Sequence, residues 1–233
     1  MKTNLTAIAA TLLLFRFVHA STAMAAAPPD LHDPAVRQVY IKSCSDRIRN
    51  APNDSEAYAY RGYVYLHDDK LQESLADLNK ANELEPNNLK VLCTLGEVHI
   101  ALKDYKSATS DFSAAIALKP QEAAYYANRG VAYMFSNQLA EAQKDALKAL
   151  QLDPQFSPAF ELMGETSYKS NKYAECIKYC NEAIKRSSGD ADAFYFRGCA
   201  YEKLGNKTQA DLDKAKATRM GYHGQVLFHE GSR

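Results

Sequence analysis

The segment that decides the fold runs from Ala123 to Phe156 and reads AAYYANRGVAYMFSNQLAEAQKDALKALQLDPQF. The same pattern occurs before and after this segment at a constant spacing of 34 residues. Its glycine occurs five times, as Gly62, Gly96, Gly130, Gly164 and Gly198. Because ordinary sequence contains only about 7% glycine, four further glycines in one register do not arise by chance. The segment is therefore one copy of an internal repeat.

Each copy of the repeat contains two stretches with helical periodicity. In the third copy, apolar residues recur at helical spacing from Tyr125 to Met134 and again from Leu139 to Leu152. A short polar turn separates the two stretches, and Pro154 follows the second, where it disfavours further helix. A fixed period of this length without insertions indicates a solenoid of helical hairpins. The predicted fold is all-α, with hairpins at 55–88, 89–122, 123–156, 157–190 and 191–224.

The residues at fixed positions of each copy resemble the tetratricopeptide repeat. In the third copy these residues are Tyr126, Gly130, Tyr133, Ala142, Ala146, Ala149 and Pro154. In the first copy they are Tyr58, Gly62, Tyr65, Ser74, Leu78, Ala81 and Pro86. The resemblance covers residues 55–222 and implies a right-handed superhelix of five repeats. It also implies a protein-binding scaffold whose first helices line a concave groove for a peptide or protein segment.

The N-terminal residues 1–25 are typical of a secretory signal peptide. Lys2 precedes an apolar core over residues 5–18, and Ala23-Met24-Ala25 fits a small-residue cleavage site. Arg16 interrupts the apolar core, so an uncleaved anchor formed by residues 5–18 is the alternative. The core is shorter than the about 20 residues of a membrane span. We therefore expect an exported protein, periplasmic or secreted.

The remaining segments flank the repeats. Residues 26–34 are predicted to form a linker, and residues 35–51 an amphipathic helix that caps the first repeat. The five repeats occupy 55–222, and residues 223–233 form a C-terminal tail. The apolar residues of this tail are expected to fold back on the last repeat or to dock on a partner. Self-association through the last repeat is a further alternative.

The repeated glycines and three arginines are predicted to be structural. A glycine inside a helix costs about 1 kcal/mol relative to alanine, so five of them indicate close helix contacts. An arginine precedes the glycine in the odd-numbered copies, and an aspartate stands 16 residues further on. The pairs are Arg61 with Asp77, Arg129 with Asp145, and Arg197 with Asp213. We expect a charge-assisted bond between the two helices in each pair. Asp111 in the second copy lacks such an arginine and is expected to be unpaired.

The family resemblance assigns the groove to fixed positions of the first helices. The predicted partner-binding residues are Tyr63, Leu66, His67, Glu97, Ile100, Val131, Met134, Glu161, Glu165, Tyr168, Tyr195 and Glu202. They are aromatic and aliphatic in the first half of the chain and more acidic in the second. A peptide with an apolar stretch and basic residues would suit such a surface.

Other functional classes have weaker support. Lys plus Arg equals Asp plus Glu at 28 each, which does not favour nucleic acid as a partner. The asparagine of a carboxylate clamp, expected directly after each repeat glycine, is absent. We expect no catalytic, cofactor-binding or metal site, and we read Cys44, Cys176 and Cys180 as buried thiols. The alternative is an enzyme or accessory of envelope polymer processing that uses Glu161 and Glu165, one helical turn apart.

Overall fold

The computed structural model describes residues 31–222, where eleven helices and no strand are found. The predicted signal peptide, most of the linker and the C-terminal tail lie outside the described residues. The helices are α1 (Pro34–Asn50), α2 (Ser55–His67), α3 (Leu71–Leu84), α4 (Leu89–Ala101), α5 (Tyr105–Leu118), α6 (Ala123–Phe135), α7 (Leu139–Leu152), α8 (Ser157–Lys169), α9 (Tyr173–Arg186), α10 (Ala191–Lys203) and α11 (Lys207–Arg219). The predicted all-α fold is confirmed.

The N-terminal helix α1 begins one residue before the predicted start. The side chain of Asp33 accepts a hydrogen bond from the backbone N–H of Ala35 at 2.8 Å, and Pro34 occupies the first helical position. Both features are typical of a helix N-terminus, since proline lacks an N–H that would otherwise be unsatisfied there. Helix α1 packs on α2, where a capping helix is expected.

The helices fall into two compact units. The first unit ends at Gln121, and the second begins at Glu122. In the first unit, α2 and α3 form one hairpin, α4 and α5 form the next, and α3 packs on α4. In the second unit, the hairpins are α6 with α7, α8 with α9, and α10 with α11. The first helices of neighbouring hairpins also contact each other within each unit: α2 with α4, α6 with α8, and α8 with α10.

Every hairpin turn contains one residue with a left-handed backbone, and these residues are 34 apart. They are Asp69, Lys103, Asn137, Asn171 and Gly205. In the third hairpin, the N–H of Gln138 donates to the carbonyl of Tyr133 at 2.8 Å, and the N–H of Asn137 donates to that of Met134 at 3.0 Å. The same two bonds recur in the other four turns. This pair of bonds is the Schellman motif, which satisfies the last carbonyls of a helix.

The repeat glycines lie where two helices approach closely. A Cβ atom at Gly96 would lie 2.6 Å from the ring of Phe112, and one at Gly62 would lie 2.7 Å from Cγ of Leu78. At Gly130, the nearest atom would be Cδ2 of Leu162 at 2.6 Å, on the following hairpin. Carbon atoms in contact are normally about 3.5–4.0 Å apart, so a side chain at these positions would have to displace the side chains that face it.

The three predicted Arg–Asp bonds are present in the odd-numbered hairpins. Nε and Nη2 of Arg129 donate to the two carboxylate oxygens of Asp145, each at 2.8 Å. Arg61 with Asp77 and Arg197 with Asp213 have the same two-bond geometry, at 2.6–2.8 Å and 2.7 Å. The hydrogen bond to the aspartate raises the pKa of each arginine. These bonds join the two helices of a hairpin across its buried interface.

Arg61 and Arg197 also bind the preceding helix, which sequence reasoning did not find. Nη1 of Arg61 donates to Oγ of Ser45 in α1 at 2.9 Å, and Nη1 of Arg197 donates to Oδ1 of Asn181 in α9 at 2.6 Å. Each of these partners lies 16 residues before its arginine. The guanidinium group therefore ties its hairpin both internally and to the helix before it.

The expectation that Asp111 is unpaired is wrong. Nδ1 of His99 lies 2.6 Å from Oδ2 of Asp111, so an imidazole takes the place of the missing guanidinium in the second hairpin. His99 stands where three other copies have Tyr65, Tyr133 and Tyr201. Its ring reaches the aspartate from one helical turn further along α4, because residues four apart, such as Leu95 and His99, share a helix face.

All five cysteines are free and buried, which confirms the prediction made for Cys44, Cys176 and Cys180. The Sγ atoms of Cys176 and Cys180 are 3.8 Å apart, far longer than a disulfide bond of about 2.05 Å. Burial raises the pKa of Cys44 in α1 and of Cys199 in α10.

Between residues 31 and 222, none of the helices combines the length and the apolar character that a membrane span requires.

Candidate partner-binding surfaces

The first unit carries a row of aromatic rings, here called the first aromatic row: Tyr40, Tyr60, Tyr63 and His67. The rings of Tyr40 and Tyr60 meet edge to face with centroids 5.5 Å apart. The centroids of Tyr60 and Tyr63 are 6.3 Å apart, and those of Tyr63 and His67 are 4.7 Å apart. All four side chains are half-buried. Because residues three and four apart share one helix face, the three rings of α2 lie along a single side of that helix.

The second unit carries a comparable set, here called the second aromatic row: Tyr168, Phe196, Tyr195 and Tyr222. The centroids of Tyr168 and Phe196 are 5.8 Å apart, and the rings of Tyr195 and Tyr222 stack at 4.3 Å. Burial raises the pKa of Tyr168 to about 12, so its hydroxyl remains neutral at physiological pH. The row joins α8, α10 and the residues after α11 through half-buried rings.

Glu97 in α4 is the most deeply buried of the predicted contact acids, with an exposed fraction of 6%. Its Oε1 atom is buried and has no hydrogen-bond partner within residues 31–222. Burial raises the pKa of Glu97 from 4.5 to about 8. Burial raises the pKa of the Tyr63 phenol, and the nearby Glu97 carboxyl raises it further. A buried carboxyl thus lies beside the first aromatic row.

The acids of the second unit have cationic neighbours. Oε1 of Glu165 lies 3.6 Å from Nζ of Lys169, one helical turn away on α8. Burial raises the pKa of Glu165 to about 7, against the opposing effect of the Lys169 charge. Oε2 of Glu202 accepts a hydrogen bond from Nζ of Lys214 in α11 at 2.7 Å. Glu161 is half-buried on the same helix as Glu165.

The structure corrects the expectation that all predicted contact residues line an open face. Five of them are buried: Leu66, Glu97, Ile100, Val131 and Met134. The reason is that α2 packs on α4 and α6 on α8, which covers the aliphatic side chains of these helices. The other seven are half-buried or exposed: Tyr63, His67, Glu161, Glu165, Tyr168, Tyr195 and Glu202. These seven remain the predicted contacts that a partner can reach without rearrangement.

Sequence reasoning did not include Tyr40, Tyr60, Phe196 and Tyr222 among the contact residues. For Tyr60 the signal was present in the sequence, because Tyr60 lies three residues before Tyr63 on the same helix. Repeat positions taken from a family resemblance do not capture aromatic residues outside those positions, such as one on the capping helix.

The comparisons with known proteins agree with an array of repeated helical hairpins. Tetratricopeptide repeat models match residues 123–156, 89–122 and 191–219. No curated protein matches the chain. Several solved structures share the fold at low sequence identity.

One of these structures is PilW, described as a widely conserved type IV pilus biogenesis factor. It is 17% identical, with a TM-score of 0.72 over 95% of this chain and 96% of PilW. PilF of Pseudomonas aeruginosa is 17% identical, with a TM-score of 0.60 over 79% of this chain and 91% of PilF. YrrB, described as a TPR protein with an unusual peptide-binding site, is 20% identical, with a TM-score of 0.55 over 79% of this chain and 95% of YrrB.

The family matches and these structures agree with the 34-residue period and with the hairpins of residues 55–222. The chain therefore has the all-α tetratricopeptide-repeat fold and contains tetratricopeptide repeats at residues 89–156 and 191–219.

Proposed function

We propose that the chain is a non-enzymatic scaffold that binds a peptide or protein segment on the faces of its first helices. The observation that carries this proposal is the pair of half-buried aromatic rows, one in each unit. Tyrosine is enriched at binding hot spots because its ring offers a large apolar surface and its hydroxyl a polar contact. Rings that already contact one another lose little conformational freedom on binding, so more of the contact energy remains as affinity.

The acids next to the rows give the surface a preferred kind of partner. Glu97 lies beside the first row, and Glu165 and Glu202 are on the helices of the second. A segment that combines apolar and basic side chains would complement both features. The similarity to PilW, a type IV pilus biogenesis factor, and to YrrB, a TPR protein with an unusual peptide-binding site, supports an assembly or adaptor role.

We further propose that the protein acts outside the cytoplasm, in the cell envelope. The support is in the sequence, where Lys2, the apolar core 5–18 and Ala23-Met24-Ala25 follow the order of a signal peptide. N-terminal sequencing of the protein from its native cells tests this proposal. A mature chain that starts just after Ala25 or Ala26 is expected, and a chain that retains Lys2 would contradict cleavage.

Crosslinking in native cells, followed by affinity capture of the chain, tests the binding function. The test variant carries Tyr63→Ala and Tyr168→Ala, one substitution in each aromatic row. The matched control is Tyr179→Ala, which removes a half-buried tyrosine from α9, the second helix of the fourth hairpin. Loss of the same partner from the double variant alone, with unchanged far-UV circular dichroism, is the expected result. Equal capture by wild type and double variant would refute the proposal.

A further inference from the structure

The last helix, α11, ends differently from the second helices of the other four hairpins. Each of those helices is followed by a residue with extended backbone, at φ between −132° and −140°. After α11, Gly221 is left-handed, with φ of 89°. The N–H of Tyr222 donates to the carbonyl of Ala217 at 2.9 Å, and the N–H of Gly221 donates to that of Thr218 at 3.0 Å. These are the bonds of the Schellman motif that reverses the chain inside every hairpin, so the chain turns back at Gly221 into the direction of α10.

This turn places Tyr222 on the face of the first helices. Its ring stacks on that of Tyr195 in α10 with centroids 4.3 Å apart, so residues 223–233 follow directly from a residue of the second aromatic row. Burial raises the pKa of Tyr222, and the nearby Asp192, Tyr195 and Glu165 raise it further. The tail therefore starts on the proposed partner-binding face, next to one aromatic ring and near two acidic side chains.

The tail is long enough to follow this face. Tyr195 and Glu202 are seven residues apart on α10, which corresponds to about 10 Å along a helix with a rise of about 1.5 Å per residue. Four extended residues span up to about 13 Å, so residues 226–228 can reach the level of Glu202. Helix α8 packs on α10, and Tyr168 stands one repeat before Glu202, at the same level of the neighbouring hairpin.

We propose that residues 226–228, which read VLF, dock on the second aromatic row of their own chain, against Tyr168 and Tyr195, and compete there with the partner segment. This inference rests on the proposed binding function and assigns an intramolecular occupant to the second row. The tail has the composition expected of a bound segment, because its apolar stretch is followed by the basic residues His229 and Arg233.

The short tether favours the tail of the same chain over that of a second copy. A segment joined to its site by a few residues has an effective concentration of roughly 1 mM. With an intrinsic dissociation constant of about 0.1 mM, such a tail would leave the row open in about one molecule in ten. A second copy reaches this occupancy only at millimolar protein concentration.

Photo-crosslinking of the full chain tests the docking directly. Phe228→benzoylphenylalanine places a photoreactive group in the tail, and mass spectrometry identifies the peptide to which it links. A link within the same chain to residues 161–169 of α8 or 195–202 of α10 is expected. The matched control is Leu212→benzoylphenylalanine on α11, where the native side chain is 56% exposed, and it should not link to α8.

Substitutions in the second row test the position of the contact. Tyr168→Ala combined with Tyr195→Ala should reduce the tail link by about fivefold, since tyrosines of a binding surface carry much of its contact energy. Tyr179→Ala on α9 should leave the link unchanged. Absence of a link within the chain, or links to second helices alone, would overturn the docking. A covalent dimer on a denaturing gel would instead assign the row to the tail of a second copy and overturn the intramolecular occupant.

The competition is tested by Leu227→Asp combined with Phe228→Asp, which places two charges in the apolar stretch. This variant should capture about tenfold more partner than wild type after crosslinking in native cells, because the row is no longer occupied. Unchanged or reduced capture would overturn the competition. Failure of every version to capture a partner would refute the scaffold function alone, because the link within the chain requires no partner.

Discussion

Arg129 and Asp145 offer the sharpest test of how the hairpins are held together. The carboxylate of Asp145 accepts two hydrogen bonds of 2.8 Å from Arg129 and is almost fully buried. Removing one partner of a buried ion pair typically costs about 3–5 kcal/mol, because the other charge is left without compensation. The Arg129 side chain is 21% exposed, so we take the lower end of that range. We predict that Arg129→Met lowers the free energy of unfolding by about 3 kcal/mol.

The fourth hairpin supplies the control for this experiment. It has Met163 and Tyr179 at the positions of the arginine and the aspartate, so an uncharged pair fits the same architecture. The double variant Arg129→Met with Asp145→Tyr should therefore recover to within about 1 kcal/mol of wild type, since buried ion pairs are often replaceable by apolar residues.

Urea unfolding of wild type, both single variants and the double variant, followed by far-UV circular dichroism, gives the coupling between the two positions. The reasoning would be refuted if Arg129→Met unfolded within 0.5 kcal/mol of wild type, on the order of an ordinary surface substitution. It would also be refuted if the destabilisations of the two single variants added in the double variant.

Three further predictions follow from the described contacts. Gly96→Ala should destabilise the fold by about 1–3 kcal/mol, because the new methyl meets the Phe112 ring at 2.6 Å. The control is Gly189→Ala, whose added Cβ meets nothing within 4 Å; its free energy of unfolding should stay within about 0.5 kcal/mol of wild type in the same urea assay. The pKa of Glu97 is about 8 in the folded protein against an ordinary 4.5, so ionisation removes stability as the pH rises from 4.5 to 8. The free energy of unfolding of Glu97→Gln should therefore exceed that of wild type by on the order of 3 kcal/mol at pH 7 and by almost nothing near pH 4. A gain that does not grow with pH in urea titrations would contradict that assignment. The five buried thiols should react with a thiol reagent far more slowly in the native protein than in urea, and rapid native reaction would contradict their burial.

Most of the fold could be predicted from the 34-residue period of the repeat. Because Gly62 and its four counterparts are evenly spaced, the hairpins and their turns could be placed from the sequence alone. The offset of 16 residues between Arg129 and Asp145 also sufficed to pair them, since an antiparallel hairpin of fixed length brings such positions together. These are predictions about backbone register, which a repeating sequence determines well.

Predictions that depend on side-chain reach and burial were less successful. The His99–Asp111 contact could not be predicted from the residue before the glycine, because the histidine stands four residues further on, in a position that is tyrosine in three other copies. The burial of Val131 and Met134 depends on how closely α8 packs on α6, which is set by the sizes of residues on another hairpin. The orphan oxygen of Glu97 depends on what all its neighbours leave unpaired, so no local pattern could reveal it.

The identical hairpin turns restrict how a protein of this architecture can change its length. One left-handed residue and two backbone bonds recur at every turn, and the cross-helix bonds depend on the distance from those turns. Insertion of a single residue inside α7, between Leu139 and Asp145, would rotate the rest of that helix by about 100° and carry Asp145 away from Arg129. Duplication or loss of a whole 34-residue segment keeps the turn and cross-helix bonds of the remaining hairpins in register. Growth and shrinkage are therefore expected in steps of complete hairpins.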